Sequence, residues 1–236
     1  MTGVLGLILE RTFLRPMVGE PVFSVAVLTI GIDILLRVVL DNWIGINPKY
    51  MGDPFPSYGN FGSFNVGGLT VKYLEVTALI TALMLIFVLS VFFKKSKYGV
   101  AMRATSLDQE AALAQGINVG RVFGLVWFIA GLLAAFAGFF ITGGFNTLTN
   151  TSFISALRAL PAVVIGGLDS ITGAVVGSLI IGLTQAYVGY YQFDIESAYN
   201  IKLGNGFSIV APYVIMFVIL IVKPDGLFGT EEVERV

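Results

Sequence analysis

The chain has 236 residues, of which 56% are hydrophobic and only 12% charged, about half the charged share of a typical soluble domain, and this composition points to a protein of the bilayer. Fifteen acids against fourteen bases leave a net charge of -1, so no global field draws the chain to nucleic acid. With neither cysteine nor histidine, disulfide frameworks, thiolate chemistry, zinc clusters and a Ser-His-Asp triad are excluded together, and neither an enzyme activity nor a cofactor or metal is expected.

The chain opens with MTGVLGLILERTFLRPMVGEP. Its charges, Glu10, Arg11 and Arg15, follow the apolar part and no small-residue cleavage site comes after them, which argues against a signal peptide. Val22–Leu40 is apolar enough to cross a hydrocarbon core of about 30 Å. It carries Asp33 and Arg37, four apart on one helix face, which either neutralise one another or line a path. The polar segment 41–73 holds Pro48, Pro54, Pro56 and several glycines and reads as an extramembrane loop. Leu74–Phe93 is a second span, and Phe123–Thr142 a third with Ala130, Ala134 and Gly138 at four-residue steps. Phe153–Gly167 is short for a span and holds Pro161, so it either crosses as a broken helix, the reading adopted here, or dips in and returns. Ile171–Tyr191 and Phe207–Val222 follow. The sum is an all-α polytopic bundle of five or six crossings, read as a single transmembrane domain over 1–236.

Between the second and third spans lies the polar segment 94–121. Lys94, Lys95, Lys97, Arg103 and Arg121 put five of the fourteen basic residues there, and the positive-inside rule places it in the cytoplasm. Arg11 and Arg15 then also fall inside, and a crossing at 153–167 brings the C-terminal tail, with Lys223 and Arg235, to the same side. Ser106 and Gln109 have the spacing of a capping box, Asp108 and Glu110 sit where a helix dipole favours anions, and Gly116 suits a left-handed C-terminus. These signals predict a helix of about nine residues, roughly 14 Å long. Ala111, Ala112 and Ala114 would let another surface approach it closely. An ordinary capped surface helix is the competing reading.

The stretch GGLDSITGAVVGSLIIG at 166–182 places Gly173 and Gly177 four apart, and Ser178 and Gly182 likewise. Such faces pack helices in lipid by close backbone approach. Gly166 and Gly167 are candidates to expose backbone groups to a water-filled path. Arg158, three residues before Pro161, is a candidate path residue or a side chain that snorkels to a membrane face. No GxxxxGK[ST] occurs, so an ATP-driven mechanism would need a partner subunit.

Four segments in order carry a resemblance: ERTFLRP at 10–16, YGVAMRATSLDQEAALAQGIN at 98–118, RALPAVVIGGLDSITGAVVGSLIIG at 158–182 and KPDGLFG at 223–229. Together they resemble the permease subunits of bacterial ABC importers for branched-chain amino acids, the Liv type and its LivH-like half. The resemblance implies a multi-pass subunit of the cytoplasmic membrane that carries branched-chain amino acids, or a related solute such as urea or an amide. The implied partners are cytoplasmic P-loop ATPases, a second permease and an external binding protein, with the C-terminus inside. It also implies that the ATPase couples at 94–121, through Arg103, Ala104, Asp108, Glu110, Ala111, Ala112, Gly116, Ile117 and Asn118. EAALAQG at 110–116 matches part of a wider importer pattern but lacks its closing Leu-Pro. Family members carry further helices before ERxxxRP, where this sequence has nine residues. Two other classes stay open at this stage: an ion-coupled carrier or channel built on Asp33, Arg37 and Arg158, and a non-transporting structural subunit.

Overall fold

The computed structural model describes residues 1–17, 20, 22–45, 47–50, 63–67, 69–145, 147–148, 154–157, 159–200, 204 and 206–229. Arg158, the proline- and glycine-rich stretch 51–62 and the end of the tail lie outside the described residues. The described residues form two compact units, 1–150 and 151–236.

The first unit begins with α1 (Thr2–Leu9), which runs into a π-helical turn (Glu10–Leu14) and a 3-10 turn (Arg15–Met17). The long helices α2 (Val22–Ile44), α3 (Tyr73–Lys95) and α6 (Val119–Phe145) follow, with the short α4 (Lys97–Leu107) and α5 (Gln109–Ala114) between the last two. The segment read as a loop holds strand β1 (Lys49–Tyr50), which pairs antiparallel with β4 (Thr147–Leu148) just after α6. It also holds a hairpin of β2 (Ser63–Val66) and β3 (Leu69–Lys72), turning at Gly67 (φ +59°) and feeding directly into α3. Helices α2, α3 and α6 are each long and apolar enough to cross a membrane.

The unit's core is the seam between antiparallel α1 and α6. Glycine permits it. A Cβ at Gly6 would strike the carbonyl of Trp127, one at Gly131 would lie 2.5 Å from the carbonyl of Thr2, and one at Gly3 2.9 Å from the ring of Phe128. In lipid no hydrophobic force holds helices together, so contact at backbone distance supplies the dispersion energy that does. The face of α6 marked by Ala130, Ala134 and Gly138 is not the packed one; it is exposed, and a Cβ at Gly138 would meet nothing within 4 Å.

The second unit has α7 (Ile154–Leu157), α8 (Leu160–Gly166), α9 (Ile171–Tyr199) and α10 (Phe207–Val222). Neither α7 nor α8 is long enough to cross a bilayer alone. Helix α9 is, and runs eight residues beyond the expected end at Tyr191. At about 1.5 Å per residue its 29 residues outreach a 30 Å core. The excess is built from polar contacts. Gln192, buried, donates to Glu196 Oε1 (2.9 Å) and the Gly204 carbonyl (2.7 Å), and Asn200 closes the helix in the left-handed conformation. Tyr187, Tyr190 and Tyr191 cluster just before that polar end, a placement that suits the headgroup level.

Helix α8 packs antiparallel on the start of α9, Gly166 against Gly173 and the Ala162 carbonyl against Gly177. Ser170 caps α9 by accepting from the Gly173 amide at 3.0 Å. The tail then folds over the end of α8. The amides of Leu227 and Phe228 donate to the carbonyls of Ile165 (2.7 Å) and Gly166 (3.0 Å), while the Gly167 amide reaches Val163 and Val164. The helix C-terminus, whose last carbonyls lack intrahelical partners, is thus satisfied. Around Ile165, which is fully buried, gather Ala162, Ile181, Ile215, Met216, Ile219 and Leu227.

Gly173 and Gly177 therefore pack helices as the spacing predicts, whereas Gly182 does not. It is exposed with no atom within 4 Å of its Cβ position, and at that turn the buried side chain is Ile181. Gly173→Leu is expected to destabilise the purified protein by at least about 1–3 kcal/mol through overpacking, while Gly182→Leu leaves it unchanged. Thermal unfolding in detergent checks this; equal melting temperatures for the two variants would contradict the seam.

Candidate functional site

The segment 94–121 is a helical hairpin. Helix α3 ends at Lys95 and the chain turns at Ser96, whose hydroxyl accepts from the Gly99 amide at 2.9 Å and caps α4. Gly99 is the corner's steric condition, because a Cβ there would lie within 2.5–2.7 Å of the carbonyls of Phe93 and Phe92. Arg103, one turn further on, donates from Nη1 to the Phe93 carbonyl and ties α4 back onto the end of α3.

The predicted capping box is not formed. Ser106 lies in the last turn of α4 and donates to the Arg103 carbonyl at 2.9 Å. The cap is Asp108, which is extended (φ -157°, ψ 112°) and accepts from the Ala111 amide at 2.9 Å. One residue thereby ends α4 and starts α5. The helix has six residues rather than about nine, since Ser96 begins an earlier helix that takes up the residues before Asp108. Gly116 does adopt the left-handed conformation (φ +79°). The amide of Ile117 reaches the Ala112 carbonyl (3.0 Å) and that of Gly116 the Leu113 carbonyl (2.9 Å), a Schellman closure. Asn118 then caps α6 by accepting from the Arg121 amide at 3.0 Å.

The residues assigned to coupling thus divide in two. Arg103, Asp108, Gly116 and Asn118 fix the hairpin through their own bonds, and Ala112, 3% exposed, is buried. Ala104 and Ile117 are half-buried, and Glu110 and Ala111 stand outside. The sequence reading passed over Leu107 and Leu113, which are 88% and 56% exposed. Leu107 beside the elbow at Asp108 and Leu113 near the end of α5 are thus large apolar side chains held out on the surface of a capped hairpin. The pattern that could have found them is leucine at the elbow and again five residues past the cap.

Other candidates resolve differently. Asp33 and Arg37 form a two-point ion pair on α2, with Nε to Oδ2 at 2.8 Å and Nη2 to Oδ1 at 3.1 Å. Gly166 and Gly167, expected to offer backbone to a water-filled path, are committed to packing. Gly166 is buried against Gly173 with its carbonyl bonded to Phe228, and a Cβ at Gly167 (φ +101°) would lie 2.5 Å from the Gly229 amide. Arg158 lies outside the described residues. Among the described residues no cluster of acidic side chains could hold a metal ion.

Several apolar helices of crossing length, with most of their apolar surface unburied within the chain, define a multi-pass α-helical membrane protein that has more to contact than itself. The sequence profile of the family described as "Branched-chain amino acid transport system / permease component" matches residues 1–222. The chain belongs to that family. It is 26% identical over 237 aligned positions to the high-affinity branched-chain amino acid transport system permease protein BraD of Pseudomonas aeruginosa, covering all of this chain and 74% of that one. To LivH, of the same description, from Escherichia coli K12 it is 29% identical over 235, covering 97% of this chain and 71% of the relative. A more distant likeness, 30% over 152 positions and 58% of this chain, is to the galactose/methyl galactoside import permease MglC of Haemophilus influenzae. No solved structure matches the chain.

Asp108→Ala is expected to remove the α5 cap at a cost of about 1 kcal/mol, with faster hydrogen exchange at the amides of residues 111–113, and Asp108→Asn to keep it. Unchanged exchange in Asp108→Ala would contradict the assigned cap.

Proposed function

We propose that this chain is the permease subunit of an ATP-driven importer of branched-chain amino acids in a bacterial cytoplasmic membrane, and that the α4–α5 hairpin is where a cytoplasmic ATPase engages it. The observation that carries this reading is the hairpin itself. It is locked to α3 at Ser96, Gly99 and Arg103 and to α6 at Asn118, and it presents Leu107 and Leu113 outward. A rigid element between two membrane-length helices transmits a push, whereas a loose loop absorbs it. Closure of the ATPase pair would displace the hairpin and rock α3 and α6, giving alternating access.

The family and the names of the relatives support the substrate and a permease role within a larger transport system; the subunit plan proposed with them is a second permease of the same family, two ATPase subunits and an external binding protein. The apolar faces of α2 and α3 have little buried surface within the chain and suit lipid and a second permease. The C-terminus is read as cytoplasmic, consistent with Lys223 at the end of α10. No cofactor is assigned to this chain.

The test is purification of the tagged protein from native membranes with mass spectrometry of what accompanies it. A P-loop ATPase and a second permease are expected. Leu107→Asp with Leu113→Asp should lower ATPase recovery by about tenfold or more while leaving the second permease in place. Recovery of the folded, monodisperse chain alone would sink the proposal.

A further inference from the structure

Three arginines meet at one end of the α1–α6 seam. Arg11 and Arg15 belong to the π-helical and 3-10 turns that follow α1, and Arg121 to the first turn of α6. With Tyr98 of α4 they line one cavity of about 680 Å³, within the usual range of about 300–1,000 Å³ for small-molecule sites. In the π-helical turn the Arg15 amide bonds back to the Glu10 carbonyl, which widens the helix by one residue. Arg15 then lies over Gly120, where a Cβ would stand 2.8 Å from its Nη2. All three arginines are exposed, and among the described residues none of their guanidinium groups has a hydrogen-bond or ion-pair partner.

The cavity changes character along its length. Arg121, Gly124, Leu125 and Phe128 share one face of α6, and Leu7 and Arg11, one turn apart, share a face at the end of α1. The two helices run antiparallel, so both faces pass from basic to apolar in the same direction. Guanidinium groups stand where α6 begins, and Leu7, Leu125 and Phe128 lie deeper, joined by Phe92 from the end of α3. Arg121 to Phe128 spans about 10 Å at 1.5 Å per residue. Glu10 also lines the cavity, against Gly124. It is 3% exposed and its Oε1 is sealed from solvent. Three bases against this one acid leave the lining positive.

We infer that this cavity holds an anionic phospholipid, its phosphate against Arg11, Arg15 and Arg121 and the start of an acyl chain along Leu7, Leu125 and Phe128. Planar guanidinium forks match phosphate oxygens two at a time. Basic pockets between membrane helices on the cytoplasmic side suit acidic lipid headgroups. The positive-inside rule puts the three arginines at the headgroup level of that face, and Tyr98, 64% exposed, suits the same level. A free phosphate would satisfy the arginines and leave the apolar part of the slot unused. An acidic protein surface would have no use for a slot that runs toward the bilayer interior. The occupant would touch α1, α6 and the corner between α3 and α4, and so brace the point from which the hairpin projects. The inference rests on the chain being a membrane protein and not on the importer reading.

The experiment measures retention of tritiated dioleoylphosphatidylglycerol by the purified full chain, held on affinity beads in detergent without ATP or partners. Unlabelled phosphatidylglycerol is expected to displace the label, whereas dioleoylphosphatidylcholine and inorganic phosphate are not. Arg11→Gln with Arg121→Gln should weaken retention by about tenfold or more. Lys94→Gln with Lys95→Gln, which removes two charges outside the lining, should leave it unchanged. Should the arginine variant fail to fold, Leu125→Trp, which fills the apolar part and keeps every charge, must lower retention. Undiminished retention in the arginine variant, or in Leu125→Trp, would overturn the inference. Displacement by phosphatidylcholine or by inorganic phosphate would overturn it too, in favour of an unselective lipid surface or a free anion. Equal loss in the lysine variant would reduce it to general surface attraction. Loss of the co-purifying ATPase in the arginine variant with lipid retention intact would assign the arginines to an acidic partner instead. Because the lipid assay involves neither ATP nor a partner, its failure leaves the importer proposal standing, and failure of the co-purification leaves this site standing.

Discussion

Backbone-to-backbone contact at glycine is the constraint on which the rest of this structure depends. A helix surrounded by hydrocarbon gains nothing by burying leucine, because lipid is as apolar as a protein core. It gains dispersion energy only where two surfaces fit better than lipid fits either. Gly6 and Gly131 allow this between α1 and α6, and Gly166, Gly173 and Gly177 allow it between α8 and α9. Each seam brings carbonyls to where a Cβ would stand. The same logic explains why few large side chains are buried among the described residues of a chain so rich in them: the spans keep their apolar surfaces for lipid.

The seams also place the polar elements. Bringing α8 down on α9 puts its last carbonyls within reach of the tail amides, so that KPDGLFG and the glycine-rich segment, far apart in sequence, become one structural piece. On the first unit, the α1–α6 contact continues past the apolar turns to Glu10 at Gly124 and Arg15 at Gly120. At the other end of the α3–α6 connection, Gly99 plays a related part on a smaller scale. Its missing side chain permits the sharp corner from which α4 and α5 project.

Much of this was legible in the sequence, and the failures have physical causes. The ends of the apolar runs located α2, α3, α6 and α10 to within a few residues, since hydrophobic length is set by the bilayer. The end of α9 was missed because Gln192, Glu196 and Gly204 prolong the helix by polar contacts that hydropathy cannot register. Ser106, three residues before Gln109, resembled a capping box. Yet a helix already begun at Ser96 was still running at Ser106, and the cap fell to Asp108. Small-residue spacing found Gly173 and Gly177 but also flagged Gly182, because spacing specifies a face without saying how far along the helix the partner extends; α8 is only seven residues long. Gly166 and Gly167 were read as open backbone because nothing local announces that residues 227–229 return to cover them. The burial of Glu10 depends on tertiary contacts and left no local signal to read, whereas the exposure of Leu107 and Leu113 was missed because the cap at Asp108, from which their spacing is counted, had been placed at Ser106.

The central claim is that this fold moves solute by answering an ATPase at its hairpin. It is tested most directly by uptake of labelled L-leucine into proteoliposomes containing the complex assembled on this chain, with binding protein supplied on the uptake side. The account predicts accumulation that requires ATP on the hairpin side and persists when ion gradients are collapsed. Accumulation driven by an ion gradient with no ATP present would contradict it.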